Sequence, residues 1–317
     1  MKKILLVLSI TLLSFILTGC FPDEDEENVI YVTAYPINYI IDEIAKDTVN
    51  VKRVPGSLVH SESIDWKPKE IISMKDSDIL FYVNAGLDPY IENSADSTFS
   101  GANTNLVDIS KAVEYGKVCA SHDHAHTADD TPIVCDENSL SYDPHFWLDP
   151  VRFLESAVFI KDELIAMYPH YEELYEANFL VLEENLVQLH ADYSLMAEQA
   201  TKPIVTTSML FNYFSQRYQI EIISIASTPH SGESIPGDLI EYANEIILHN
   251  IEYIIFEKNS YSYAGDTLYD ELNGDGYSID KGYMHGLGNI TTEEKDAGED
   301  YMSLMYDNLT QLHISTK

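Results

Sequence analysis

The centre of the chain carries the apolar spacing of one long helix. Seven apolar side chains recur at alternating steps of four and three residues: Tyr175, Phe179, Leu182, Leu186, Leu189, Tyr193 and Met196. Polar residues fill most of the positions between them and no Gly or Pro interrupts the run, so the pattern predicts a single amphipathic helix. From Pro169 to about Ala200 such a helix is on the order of 45 Å long, at 1.5 Å per residue. That is longer than a small lobe is wide, so the helix must contact whatever folds on either side of it.

Short β-rich runs alternate with helical patterns both before and after this helix. The runs before it cover residues 28–34, 49–54, 78–84 and 105–109, and those after it cover 203–207, 220–226, 252–257 and 277–284. Strands that alternate with helices form parallel sheets. The sequence therefore predicts an α/β fold of two lobes, each with a small parallel sheet flanked by helices, joined by a single long rigid helix.

These patterns divide the folded part of the chain into three regions. We expect an N-terminal lobe at residues 28–168, a connecting helix at 169–200 and a C-terminal lobe at 201–317. A helical connector resists the large hinge closure that flexible linkers allow, so we expect modest motion on ligand binding.

The chain is strongly acidic, with 53 Asp and Glu against 18 Lys and Arg, a formal net charge of −35. Nucleic acid and anionic lipid headgroups are therefore poor partners on electrostatic grounds, and cations are natural ones. A solvated surface explains most of this acidity without any ligand.

The N-terminal sequence has the pattern of an export signal. Lys2 and Lys3 precede an apolar run at residues 4–17, which is shorter than the roughly 20 residues of a membrane span. The run ends in Leu17-Thr18-Gly19-Cys20, which resembles the bacterial lipobox. We expect a signal peptide at 1–19, a lipid on Cys20 and a polar tether at 20–27. The protein would then be lipid-anchored to the cell membrane on its extracytoplasmic face.

Two further cysteines, Cys119 and Cys135, flank a histidine-rich tract. An oxidising compartment favours a disulfide between them, and closing such a loop would stabilise the fold by roughly 3 kcal/mol. The alternative makes them thiolate ligands of a second metal site with the histidines between them. Those histidines are His122, His124 and His126, followed by two aspartates. The tract is either an accessory metal-scavenging loop or a solvated loop.

One histidine lies in a sequence that would hold it rigidly. His145 is part of the string SYDPHFWLDP at residues 141–150, between two Asp-Pro dipeptides. Proline pushes the residue before it toward extended geometry, so Asp143-Pro144 should end a loop and Asp149-Pro150 should start a helix. His145 would then lie on a rigid turn, as a metal ligand requires.

The string DPHFWLDP resembles the D-P-H-x-W-L-D-P signature of the zinc and manganese substrate-binding proteins of ABC importers. These are two-lobed metal receptors that include streptococcal adhesin-type lipoproteins. Other motifs of the family follow in order, namely Val54-Pro55-Gly56 with His60, Asn84-Ala85-Gly86-Leu87, and Tyr301 to Leu309 as the closing Y-x-x-x-M-x-x-N-L. The resemblance covers nearly all of the mature chain.

The resemblance implies a set of metal ligands. His60 and His145 match the two histidines of the N-terminal lobe. In the C-terminal lobe, Ser208 stands where the family has a histidine or glutamate, and neutral serine is a poor ligand for a divalent ion. The string His285-Gly286-Leu287-Gly288 matches the family's last ligand motif and places a histidine where an aspartate is usual.

A fourth ligand has to come from elsewhere. His230 follows the second predicted strand of the C-terminal lobe, and loops at the carboxyl ends of parallel strands gather around a ligand crevice. It is our candidate, with water, Glu233 or an uninvolved loop histidine as the alternatives.

Nitrogen-rich coordination favours Zn²⁺ over Mn²⁺, which prefers oxygen ligands, although Cu²⁺ would bind more tightly still. We expect a monomeric, non-enzymatic protein that captures zinc and delivers it to the permease of an ABC importer. The alternatives are a manganese-specific receptor, a metal-storing protein or adhesin without an importer, and an extracellular zinc-dependent hydrolase. Three histidines and an open position also describe catalytic zinc, but the chain has no H-E-x-x-H or G-x-S-x-G motif.

Overall fold

The computed structural model describes residues 28–57, 63–119, 140–225 and 239–317. Its strands are β1 (Val29–Val32), β2 (Asn50–Arg53), β3 (Ile79–Tyr82), β4 (Asn105–Asp108), β5 (Gly116–Cys119), β6 (Leu140–Asp143), β7 (Ile204–Thr206), β8 (Ile222–Ser224), β9 (Tyr253–Glu257) and β10 (Asp280–Met284). Its α-helices are α1 (Tyr35–Ala45), α2 (Pro68–Lys75), α3 (Pro89–Glu92), α4 (Pro150–Met167), α5 (Glu172–Ala197), α6 (Asn212–Tyr218), α7 (Leu239–Leu248), α8 (Tyr263–Gly274), α9 (Thr292–Asp296) and α10 (Tyr301–Ser315).

Two four-stranded sheets form the lobes. The N-terminal sheet has the order β2-β1-β3-β4 and the C-terminal sheet the order β10-β9-β7-β8, and all of their strand pairs are parallel. The inner strands, such as β1 and β3, consist almost wholly of buried apolar residues, as parallel strands covered on both faces require. The predicted α/β fold with two parallel sheets flanked by helices is confirmed.

The long helix is also confirmed. It begins as α5 at Glu172, after a short 3₁₀ turn at Pro169–Tyr171, and ends at Ala197. All seven side chains of the predicted apolar stripe are buried. The helix packs against α1 and α4 of the N-terminal lobe and against α6 and α10 of the C-terminal lobe, and one continuous apolar core contains residues of both lobes. It is therefore a shared spine for the two lobes.

An antiparallel hairpin of β5 and β6 was missed from the sequence. The residues between these strands, 120–139, lie outside the described residues, as do His122, His124, His126 and Cys135. Cys119 ends strand β5, but its side chain is not described, so the predicted disulfide is not tested. The signal peptide, tether and Cys20 also lie outside the described residues.

Parallel pairing brings the ends of three chain segments together in the C-terminal lobe. Thr206 pairs with Ile255, and Met284 pairs with Glu257. Ser208, Glu257 and His285 therefore lie at the same carboxyl edge of the sheet. That edge faces the turn after β6 that carries His145.

No helix in the described part of the chain is both long enough and apolar enough to cross a bilayer.

Candidate metal centre

A cleft of about 290 Å³ lies where the carboxyl edges of the two sheets meet. His145, Trp147 and Asp88 line it from the N-terminal lobe, and Glu257, His285 and Gly286 line it from the C-terminal lobe. Binding sites of open parallel sheets lie in this position, outside the carboxyl ends of the strands. The cleft is therefore the candidate ligand site.

The turn after β6 fixes the orientation of His145. The fully buried Asp143 accepts a hydrogen bond from the backbone N–H of His145 at 3.0 Å, and its Oδ1 lies 2.7 Å from Nδ1 of the imidazole. Nδ1 therefore carries the proton of this hydrogen bond and donates it to Asp143. Nε2 is then the nitrogen that can coordinate a metal. A carboxylate behind a histidine is the usual support of a zinc-binding imidazole, because it sets the tautomer and raises ligand basicity.

Trp147, two residues further on, joins the two lobes at the cleft. Its indole Nε1 donates to the carbonyl of Gly286 at 2.8 Å, and its own carbonyl accepts from the hydroxyl of Tyr301 at 2.6 Å. The ring also meets the imidazole of His145 edge-on, with centroids 5.2 Å apart. The aromatic residue of the DPHFWLDP string thus holds the histidine turn against the C-terminal lobe.

The backbone of His285 is clamped by a buried side chain from α10. Asn308 accepts from the His285 N–H at 2.7 Å and donates to the His285 carbonyl at 2.9 Å. Two residues on, Leu287 has a positive φ of 61°, which is uncommon for a residue with a branched side chain. Its N–H donates to Nδ1 of His285 at 2.8 Å. The closing Y-x-x-x-M-x-x-N-L motif therefore supports the site through Tyr301 and Asn308, a role that its spacing did not reveal.

Both ring nitrogens of His285 are engaged. Nδ1 accepts from Leu287, so the neutral ring carries its proton on Nε2, which lies 3.4 Å from Oε1 of Glu294. Burial lowers the pKa of His285, and the charge of Glu294 opposes that shift. In this arrangement the ring offers no lone pair to an ion. It could ligate a metal only if it turned away from Leu287 and Glu294.

Glu257 was not singled out from the sequence, although it is the last residue of β9 and lines the cleft. Burial raises the pKa of its carboxyl, while the charge of His145 and a hydrogen bond from Ser208 partly offset the rise. The usable signal was its place at the carboxyl end of a buried strand, in the run Tyr253–Glu257, where it is the sole charged side chain.

The structure thus brings two of the predicted ligands, His145 and His285, to one cleft, and Ser208 lies beside Glu257, which also lines it. His60, His230 and Glu233 lie outside the described residues. Among residues 28–57, 63–119, 140–225 and 239–317, no group of three or more His, Cys, Asp or Glu side chains is arranged to hold a metal ion. The full ligand set stays a prediction.

Residues 30–314 match the profile of the family described as ZnuA, zinc-uptake complex component A periplasmic. The chain belongs to this family. The ZnuA family consists of substrate-binding receptors, not enzymes, which confirms both the resemblance read from the motifs and the expectation that the chain is not an enzyme. The hydrolase alternative is therefore wrong.

Curated relatives include a zinc-binding lipoprotein and a zinc-uptake protein. The zinc-binding lipoprotein AdcA of Streptococcus pneumoniae is 27% identical over 326 residues, covering 100% of this chain and 61% of AdcA. The high-affinity zinc uptake system protein ZnuA of Bacillus subtilis is 26% identical over 289 residues, covering 90% of this chain and 86% of that protein. The chain thus spans about three fifths of the length of AdcA.

The fold agrees with a solved structure of the same family. The Zn(II)-bound ZnuA-like domain of Streptococcus pneumoniae AdcA superposes with a TM-score of 0.70 at 25% sequence identity. The superposition covers 92% of this chain and 99% of that domain. The part of AdcA that corresponds to this chain is therefore its ZnuA-like domain.

Proposed function

We propose that this chain captures a zinc ion outside the cytoplasm and delivers it to the permease of an ABC importer, while a lipid on Cys20 holds it at the membrane. The observation that carries the proposal is the orientation of His145. Its Nδ1 is held by Asp143, and the ring lines a cleft between two lobes of a zinc-uptake family fold. The names of AdcA and ZnuA, zinc-binding and zinc-uptake proteins, support zinc as the cargo.

The proposed ligands come from opposite lobes. His60 and His145 supply nitrogen from the N-terminal lobe, and His285 supplies a third nitrogen if its ring turns, with His230 or water in the fourth position. Imidazole nitrogen suits Zn²⁺ better than Mn²⁺, which prefers carboxylate and water oxygen. A manganese-specific receptor is therefore the second choice.

Residues outside the cleft have proposed roles of their own. His122, His124 and His126 form an accessory loop that scavenges zinc, and a disulfide between Cys119 and Cys135 closes that loop. A histidine tract that orders around an ion loses conformational entropy, so we expect it to bind zinc more weakly than the cleft.

Metal analysis tests the capture step. We expect the full-length chain, purified in detergent without chelator, to carry one tightly held zinc per molecule. In competition titrations with a chromophoric chelator it should bind Zn²⁺ more tightly than Mn²⁺. A chain that leaves the chelator fully loaded with zinc at every protein concentration would refute capture, and a preference for Mn²⁺ would refute the choice of metal.

Transport measurements separate a receptor from a storage protein or an adhesin. Membrane vesicles that contain the cognate ABC permease and ATPase should accumulate ⁶⁵Zn only when the zinc-loaded chain is added. Tight zinc binding without any stimulation of uptake would leave storage or adhesion as the role.

The support of His145 gives a further prediction. Asp143→Asn removes the carboxylate that holds Nδ1, and such supporting changes cost roughly 10- to 100-fold in metal affinity. We expect a zinc affinity about tenfold weaker by chelator competition, with an unchanged circular dichroism spectrum. Unaltered affinity would show that the contact between Asp143 and His145 does not tune the site.

A further inference from the structure

We propose that the carboxylate of Glu257 is a zinc ligand that the C-terminal lobe contributes to the cleft, in place of the ligand missing at Ser208. This inference rests on the proposed function, since it assigns a donor to the same ion. It names a residue that the sequence motifs do not include.

The strand register places Glu257 beside the substituted position. Thr206 on β7 pairs with Ile255 on β9, so two residues further along, Ser208 lies next to Glu257. Their side chains share one face, because paired residues of parallel strands point the same way and alternate with period two. A donor lost from the end of one strand is thus available from the end of its neighbour.

Local contacts hold the Glu257 carboxylate at the cleft. Ser208 makes a side-chain hydrogen bond to it, so the serine that cannot ligate a metal well can instead position a residue that can. On the other side, Gly286 leaves room, since a Cβ there would lie 2.7 Å from Oε1 of Glu257. The pairing of Met284 with Glu257 keeps this arrangement next to His285.

The carboxylate of Glu257 has no direct basic partner among the ion pairs of the described residues, although Arg53 and Lys258 also line the cleft. The neighbouring Lys258 is 3.5 Å from Glu294. A partly buried carboxylate without such a partner is costly to keep ionised. The imidazole of His145 is close enough to act on it electrostatically. Carboxylate and imidazole are both ordinary zinc donors.

Glu257 is a better placed donor than His285. The imidazole of His285 uses Nδ1 to accept from Leu287 and directs Nε2 to Glu294. The carboxylate of Glu257 has two oxygens with several lone pairs, so the hydrogen bond from Ser208 leaves acceptor capacity for an ion. Glu257 can ligate without any rearrangement of the His285 turn.

Zinc titrations of the full-length chain in detergent test this assignment. Glu257→Gln keeps the shape and one acceptor oxygen but replaces the other oxygen with an amide donor and removes the charge, so we expect zinc to bind roughly 10- to 100-fold more weakly. Glu252→Gln is the matched control, because Glu252 is exposed just before the opposite end of β9, and its affinity should equal that of the wild type. Adding Ser208→His to Glu257→Gln should restore most of the affinity, since it supplies an imidazole from the adjacent strand end.

The outcomes separate this assignment from the proposed function. If the wild-type chain binds zinc tightly and Glu257→Gln binds it equally well, Glu257 is not a ligand, while zinc capture stands. If Glu257→Gln binds zinc weakly and the double variant with Ser208→His does not regain binding, the loss reflects a damaged lobe and the assignment is also overturned. A wild-type chain that binds no zinc would defeat the proposed function itself.

Discussion

Replacing His145 with alanine is expected to weaken zinc binding by on the order of 100-fold or more, because a direct ligand is worth at least as much as the groups that support it. The residue is buried, and its ring is held between Asp143 and Trp147. Chelator competition on the full-length chain measures the loss, and circular dichroism checks that the fold is retained.

The matched control is His170→Ala. His170 is exposed on the 3₁₀ turn before α5 and lies outside the cleft, so its removal should leave zinc affinity unchanged. Equal affinities for the wild type and His145→Ala would remove the observation on which the proposed function depends. Equal losses in both variants would point to zinc bound by scattered histidines rather than by the cleft.

Substituting Asp149 with asparagine is expected to lower the free energy of unfolding by about 3 kcal/mol, as for other buried ion pairs that lose one partner. Asp149 is fully buried at the start of α4, where it accepts from the N–H of Val151 at 3.0 Å. It also accepts from Arg152, and from Arg217 of α6 at 2.7 to 2.9 Å. Asparagine can still cap the helix, but it leaves both guanidinium groups without their counter-charge.

Urea unfolding measures this effect, with Asp270→Asn as the control. Asp270 is an exposed residue of α8, and its substitution should change the unfolding free energy by less than about 0.5 kcal/mol. Asp149 lies in the N-terminal lobe, at the start of α4, and pairs with Arg217 of the C-terminal lobe. We therefore expect both lobes of the Asp149 variant to unfold at a lower urea concentration. An unchanged midpoint would show that the three charges contribute little net stability.

Most secondary-structure elements could be predicted because their causes are local. The stripe from Tyr175 to Met196 buries one face of α5, and a period of 3.6 residues is visible in the sequence without knowledge of its partners. The β-rich runs mark strands in the same way. The hairpin of β5 and β6 escaped because its strands are short and separated by a long polar stretch without periodicity.

The candidate site was predictable only in part. The two Asp-Pro dipeptides around His145 predicted a rigid turn, and the predicted helix does begin at Pro150 after Asp149. Asp143, however, ends strand β6 rather than a loop, and only the structure shows that its carboxylate orients the imidazole. Nothing near His285 in the sequence indicated that Leu287 and Glu294 would contact the two nitrogens of its ring. Glu257 likewise carries no motif, and its relation to Ser208 follows from the strand register alone.

The sequence by itself determined the long helix, most of the strands, the α/β class and the family, since these depend on periodic patterns and short motifs read along the chain. Only the tertiary structure decided which donors reach the cleft and with which atoms. The physical reason is that the orientation of a ligand depends on hydrogen bonds from distant segments. Asn308 holds His285 and Tyr301 holds Trp147 across 23 and 154 residues respectively, and no local pattern encodes such contacts.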